Sequence, residues 1–145
     1  METHYILVAE DDSDDQLLFN AALRECNTDF TVNFFSNGEQ LVLFLEQLLS
    51  VRPCCIFLDM NMPVMDGLET LRCIKDHEQL RNIPVIMLST SNNSREIATC
   101  KASGAFDFLV KPETYGNLVA MIKKVLSLFT EKPAGNIQND FPWAY

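Results

Sequence analysis

Residues 55–67 read Cys55-Ile-Phe-Leu-Asp59-Met-Asn61-Met-Pro63-Val-Met-Asp66-Gly67, and the fold turns on this stretch. The apolar run from Cys55 to Leu58 suits a strand buried on both faces. It runs straight into Asp59. Pro63 cannot continue a hydrogen-bonded ladder, and Asp66-Gly67 turns the chain into a new helix, with Asp66 as its cap. A buried strand ending in a carboxylate is how an open α/β sheet presents a reactive group in the crevice above its strands.

The same pattern repeats on either side. Tyr5–Ala9 is a short apolar run that ends in the acidic stretch Glu10 to Asp15. A first helix follows, with Ser13 and acidic residues at its start, where Asp12, Asp14 and Asp15 suit N-terminal capping. Its apolar positions are read as Leu17, Leu18, Ala21, Ala22 and Cys26. After the connector Asn27–Asp29, Phe30–Phe35 is a second strand and Asn37-Gly38 a turn. Leu41, Phe44, Leu45 and Leu48 then recur at helical spacing, and Arg52-Pro53 ends that helix. Beyond Gly67 a helix carries Leu68, Leu71 and Ile74 inward, and His77–Asn82 reads as a polar loop. Pro84–Leu88 is a fourth strand, ending in Ser89-Thr90-Ser91. A fourth helix spans Ser94–Ser103, anchored only by Ile97, Ala98 and Cys100 and ended by Gly104. Phe106–Val110 is a fifth strand, ending in Lys111-Pro112. The last helix carries Leu118, Met121, Ile122, Val125, Leu126 and Phe129 on one stripe. Strand and helix alternating in this way predict an α/β fold: a doubly wound, five-stranded parallel sheet in a three-layer sandwich.

The chain has 145 residues, enough for one domain, and a net charge of −9 from 20 acidic and 11 basic side chains. The basic residues are scattered, the longest run being Lys123-Lys124, which argues against a nucleic acid or an anionic membrane surface as partner. No apolar run approaches the roughly 20 residues of a membrane span, and no signal peptide is apparent. The five cysteines, Cys26, Cys54, Cys55, Cys73 and Cys100, form no metal- or disulfide-type spacing. They read as small, mostly buried hydrophobic groups of a reducing, cytoplasmic compartment. Residues 131–145 form a tail holding Ile137, Phe141, Trp143 and Tyr145. It is too apolar to be purely solvated, and its aromatics are expected to dock on this chain or on a second copy.

In such a sheet all strand carboxyl ends point the same way. Glu10 and Asp11 follow the first strand, Asp59 the third, Ser89 and Thr90 the fourth, Lys111 the fifth. Carboxylates packed together repel unless positive charge is supplied. Lys111 supplies one charge, and a hard divalent cation with oxygen ligands would supply two more.

These motifs, Glu10-Asp11, Ile-Phe-Leu-Asp59-Met-Asn61-Met-Pro63, Pro84-Val-Ile-Met-Leu-Ser89 and Phe-Leu-Val-Lys111-Pro112, closely resemble the receiver domain of two-component response regulators, over about Tyr5 to Phe129. The resemblance implies a flavodoxin-like (βα)5 fold with strand order 2-1-3-4-5, and a signalling protein that catalyses its own phosphorylation and dephosphorylation. Asp59 would accept a phosphoryl group from a sensor histidine kinase or a histidine phosphotransfer protein. Asp11, Asp59 and the Asn61 backbone carbonyl would hold Mg²⁺, with Glu10 acting through water. Lys111 would pair with Asp59 and then with a phosphoryl oxygen. Ser89 would hydrogen-bond the phosphoryl group. Thr90 is its neighbour, but strand alternation places Val85, Met87 and Ser89 on one side and favours Ser89. Phe108 would take the place of the switch aromatic, Asn61 and Ser91 would tune hydrolysis, and the Lys111–Pro112 bond would be cis. Output would be contact with a downstream protein through the face of the fourth helix, fifth strand and fifth helix, with self-association open.

Residues 1–130 are thus expected to form a receiver domain with no effector domain following. A phosphorylation-independent receiver-like module would lack site residues, and none is missing. A haloacid-type Mg²⁺ phosphatase would want a second Asp where Asn61 stands. A nucleotide-binding flavodoxin-like protein would want a Gly-rich loop after the first strand.

Overall fold

The computed structural model describes residues 4–26, 29–47 and 52–130. Leu48 of the second helical stripe and the aromatic tail 131–145 lie outside the described residues. The elements alternate: β1 His4–Ala9, α1 Ser13–Cys26, β2 Phe30–Phe35, α2 Gly38–Gln47, β3 Cys55–Asp59, α3 Gly67–Asp76, β4 Val85–Ser89, α4 Ser94–Ala102, β5 Asp107–Val110 and α5 Tyr115–Thr130. The five strands are all parallel, in the order β2-β1-β3-β4-β5, as expected. No helix among the described residues is long and apolar enough to cross a membrane.

Alternation along the central strands builds two cores. Leu7, Ile56, Leu58, Val85 and Met87 face α2, α3 and α4, where they meet Leu41, Leu45, Leu71, Ile74 and Cys100. Ile6, Val8, Phe57, Ile86 and Leu88 face α1 and α5, where they meet Phe19, Leu23, Ile122 and Leu126. Most of these side chains are fully removed from water, each worth roughly 1.5–3 kcal/mol before chain entropy is charged against it. All five cysteines are free thiols, with Cys55 and Cys100 buried.

Several sequence expectations are corrected. The third and fourth strands do not stop at their last apolar residue but run on to Asp59 and Ser89. The ladder continues beneath the polar side chains: Met60 N–H donates to Leu88 O at 2.9 Å and Lys111 N–H to Ser89 O at 2.7 Å. On α1 the inward stripe is Phe19, Ala22 and Leu23, whereas Leu17 and Leu18 are 68% and 49% exposed and Ala21 faces solvent. The reason lies across the interface, where Phe19 packs edge-on against Phe57 and Phe34, at ring separations of 5.0 and 6.1 Å. Ala98 on α4 is likewise exposed. The loop after α3 is not wholly polar, because Leu80 is buried in the core and Ile83 joins it just beyond. The Lys111–Pro112 bond is trans, as is every peptide bond among the described residues. An X–Pro bond prefers trans by roughly 0.5–1 kcal/mol unless its surroundings reward cis, and Lys111 reaches its partners with the bond trans.

Candidate functional site

β1 and β3 are neighbours, with Ala9 opposite Leu58. The residues at the carboxyl end of each strand therefore emerge side by side. Carboxylate oxygens of Glu10, Asp11 and Asp59 lie within 4.8 Å of one another. Glu10 and Asp59 are 6% exposed, while Asp11 opens to solvent. β5, on the far side of β4, delivers Lys111 into the same place. Its Nζ donates to Glu10 Oε1 at 2.8 Å and to Asp59 Oδ2 at 3.0 Å.

This crowding sets the electrostatics. Burial pushes the Glu10 carboxyl up, and the nearby Asp59 charge adds to that. Hydrogen bonds from Lys111 and the Asp12 N–H pull it back only partly, leaving it at about 7. Burial works against the Lys111 ammonium, but its bonds to Glu10 and Asp59 outweigh burial and hold its pKa above the ordinary lysine value. A single ammonium is thus shared by two buried carboxylates, with a third beside them. An all-oxygen donor set with surplus negative charge suits a hard divalent cation, so the residues fit one.

The loop after β3 is built to carry Asp59. Its Oδ1 accepts from the Asn61 N–H at 3.3 Å. Asp66 caps α3 in a reciprocal box with Glu69, the expected role. Gly67 packs so closely that a Cβ there would stand 2.4 Å from the Asp59 carbonyl oxygen. Only glycine lets α3 begin beneath the acceptor strand. Val64 has φ 69° and is 74% exposed, an unfavourable backbone for a β-branched residue.

The fourth strand places Ser89 inside at 1% exposure, with Thr90 outside. The Ser89 Oγ accepts from the Ser91 N–H at 3.1 Å, and the Ser91 Oγ accepts from the Asn93 N–H at 3.1 Å, so the hydroxyls start the turn into α4. Ser91 and Asn61 flank this end of the sheet and are exposed. Phe108, opposite Met87 on β4, lies in the core facing α4 at 8% exposure. Of the acidic residues following Asp11, Asp12 caps α1, its Oδ1 accepting from the Asp14 and Asp15 N–H groups. Asp15, read from sequence as a further capping residue, instead turns toward the site, its Oδ2 standing 3.6 Å from Lys111 Nζ. Glu10 and Asp11 precede α1, so no helical spacing ties Asp15 to them in the sequence, and an acidic residue in a first helical turn reads as a capping group.

The family model for the response regulator receiver domain matches residues 6–123. The chain belongs to the response regulator receiver domain family. The receiver is 31% identical over 130 residues to the response regulator Rcp1 of Synechocystis, covering 87% of this chain and 88% of that one. Among solved structures it is similar to the phosphorylated cyanobacterial phytochrome response regulator RcpA, at 28% identity and a TM-score of 0.81, covering 88% of this chain and 94% of that one. The Mn²⁺-bound form of Rcp1 gives 29% identity and a TM-score of 0.79, covering 92% and 99%. Receiver domains belong to two-component signalling and bind a divalent metal, which agrees with the acidic cluster of this receiver.

Proposed function

We propose that this receiver takes a phosphoryl group onto Asp59 from a histidine kinase or histidine phosphotransfer protein, with Mg²⁺ as cofactor, and signals by contact with a downstream protein. The observation that carries the reading is the Lys111 ammonium bonded at once to Glu10 and Asp59, beside a triad of carboxylates. The relatives named for phytochrome signalling support a light-sensing histidine kinase as the donor.

Each residue has a role that its chemistry supports. Asp11, Asp59 and the Asn61 carbonyl would hold the cation, with Glu10 acting through water, and the cation would supply neutralisation of charge on the phosphoryl oxygens. Asp59 is the nucleophile. A carboxylate oxygen attacks phosphorus as the bond from phosphorus to the donor imidazole nitrogen breaks, and that nitrogen keeps the electron pair and is reprotonated. Positioning and charge neutralisation supply most of the catalysis in such a transfer. Lys111 then exchanges its carboxylate partner for a phosphoryl oxygen. Ser89, whose hydroxyl is inside, donates to another. That bond draws in the turn carried by Ser91 and Asn93, and with it the N-terminus of α4. Phe108, packed toward α4, follows by repacking, so the face of α4, β5 and α5 changes. Asn61 and Ser91, exposed at the rim, govern the access of hydrolytic water.

Incubation with acetyl phosphate and Mg²⁺ tests the reading. A retarded band on a phosphate-affinity gel is expected for the wild type, lost with Asp59→Asn and with chelator. Retardation that survives Asp59→Asn overturns the assignment of the acceptor.

A further inference from the structure

We propose that Asp15 is a positioning residue for Lys111 in phosphoryl transfer, a role that rests on the reading of Asp59 as acceptor. The observation is the composition of the shell around the ammonium. Three carboxylates face Lys111 Nζ: Glu10 at 2.8 Å, Asp59 at 3.0 Å and Asp15 at 3.6 Å. The first two belong to the cluster suited to a cation, and Asp15 does not. A cation held by that cluster would compete with Lys111 for Glu10 and Asp59 and would set a like charge beside it. The Lys111 side chain is 20% exposed, so solvent is within its reach. Asp15 is the carboxylate that stays with it.

The backbone makes Asp15 suited to this. Its N–H is fixed by the Asp12 side chain at 3.1 Å in the first turn of α1. Asp15 and Lys111 also line one cleft of about 140 Å³ with Leu18, Pro112 and Tyr115. Asp15 therefore holds the ammonium at the edge of the site, one short displacement from the phosphoryl oxygen it must meet. The pull is modest, since the Asp15 side chain is 46% exposed and water screens it. A modest pull is what a group that must let go requires.

The test compares wild type, Asp15→Asn and Asp15→Glu, each with Lys111 and with Lys111→Met. Phosphorylation by acetyl phosphate at saturating Mg²⁺ is followed over hours, and Mg²⁺ affinity is measured separately by calorimetry. Asp15→Asn should slow transfer by roughly three- to tenfold, Asp15→Glu should restore most of the rate, and with Lys111→Met the Asn substitution should have no further effect. Mg²⁺ affinity should stay within about twofold, because a carboxylate supporting the metal directly would cost roughly 10- to 100-fold. An unchanged rate with Asp15→Asn, equal slowing in both lysine backgrounds, or loss of Mg²⁺ affinity overturns the proposal. If the wild type takes no phosphoryl group, the reading of Asp59 falls first and this inference falls with it. A normal wild type with an indifferent Asp15→Asn removes only the inference.

Discussion

Glu10 is the residue at which burial and pairing compete most directly. Its ordinary value is 4.5, and in the folded chain burial lifts it to about 7 against the pull of Lys111. Between those two values the folded state holds more protons than the unfolded one, so stability falls as pH rises through that window. The contribution is present in full below 4.5 and gone above about 7. Glutamine mimics the protonated form and should be spared the loss. In chelator, Glu10→Gln should equal the wild type near pH 4.5 and exceed it at pH 8 by on the order of 2–3 kcal/mol. Urea denaturation at the two pH values measures this; a difference that does not depend on pH would mean that Glu10 ionises normally. Because a bound cation displaces the proton, apparent Mg²⁺ affinity should also rise with pH over the same interval.

At the scale of elements, α1 shows where local pattern stops deciding. Leu17, Leu18, Ala21 and Ala22 fit a helical stripe, and so do Phe19, Ala22, Leu23 and Cys26. The second stripe wins because Phe19 has Phe57 and Phe34 to pack against, and those partners lie on other elements. Phe19→Ala should cost about 3–5 kcal/mol as a large aromatic leaves the core, whereas Leu17→Ala should change stability by less than about 0.5 kcal/mol. Thermal or urea unfolding of the pair decides it, and a costly Leu17→Ala paired with a tolerated Phe19→Ala would reverse the assignment. The strands were far more legible. Continuous apolar runs ending in Asp59, Ser89 and Lys111 announce both the parallel sheet and the position of its crevice, since every strand end of such a sheet opens the same way. Two features of the site were not legible. Asp15 was masked by the ordinary preference of acidic residues for helix starts. The trans Lys111–Pro112 bond was hidden because a proline names a permitted isomer without selecting it.

At the scale of the whole molecule, the acidic cluster exists only in the folded state. Glu10 and Asp11 come from one strand end and Asp59 from another, and only the pairing of Ala9 with Leu58 sets them together. A cation that binds this cluster binds the folded chain and not the unfolded one, so it must stabilise the fold by mass action. At a concentration about 100-fold above the dissociation constant the gain is roughly 2.7 kcal/mol, which moves the melting midpoint of a domain this size by on the order of 10 °C. The net charge of −9 offers a competing source, general screening of self-repulsion, which monovalent salt supplies equally well. The two separate cleanly. Mg²⁺ at millimolar concentration should raise the midpoint of the wild type when ionic strength is held constant with NaCl, and Asp59→Asn should lose most of that rise by removing a ligand charge from the cluster. Metal-free Asp59→Asn should in turn melt no lower than the wild type, because one of the two buried carboxylates bonded to Lys111 is gone while Glu10 remains. A Mg²⁺ shift that NaCl reproduces, or that survives Asp59→Asn intact, would show that the cluster does not hold the ion.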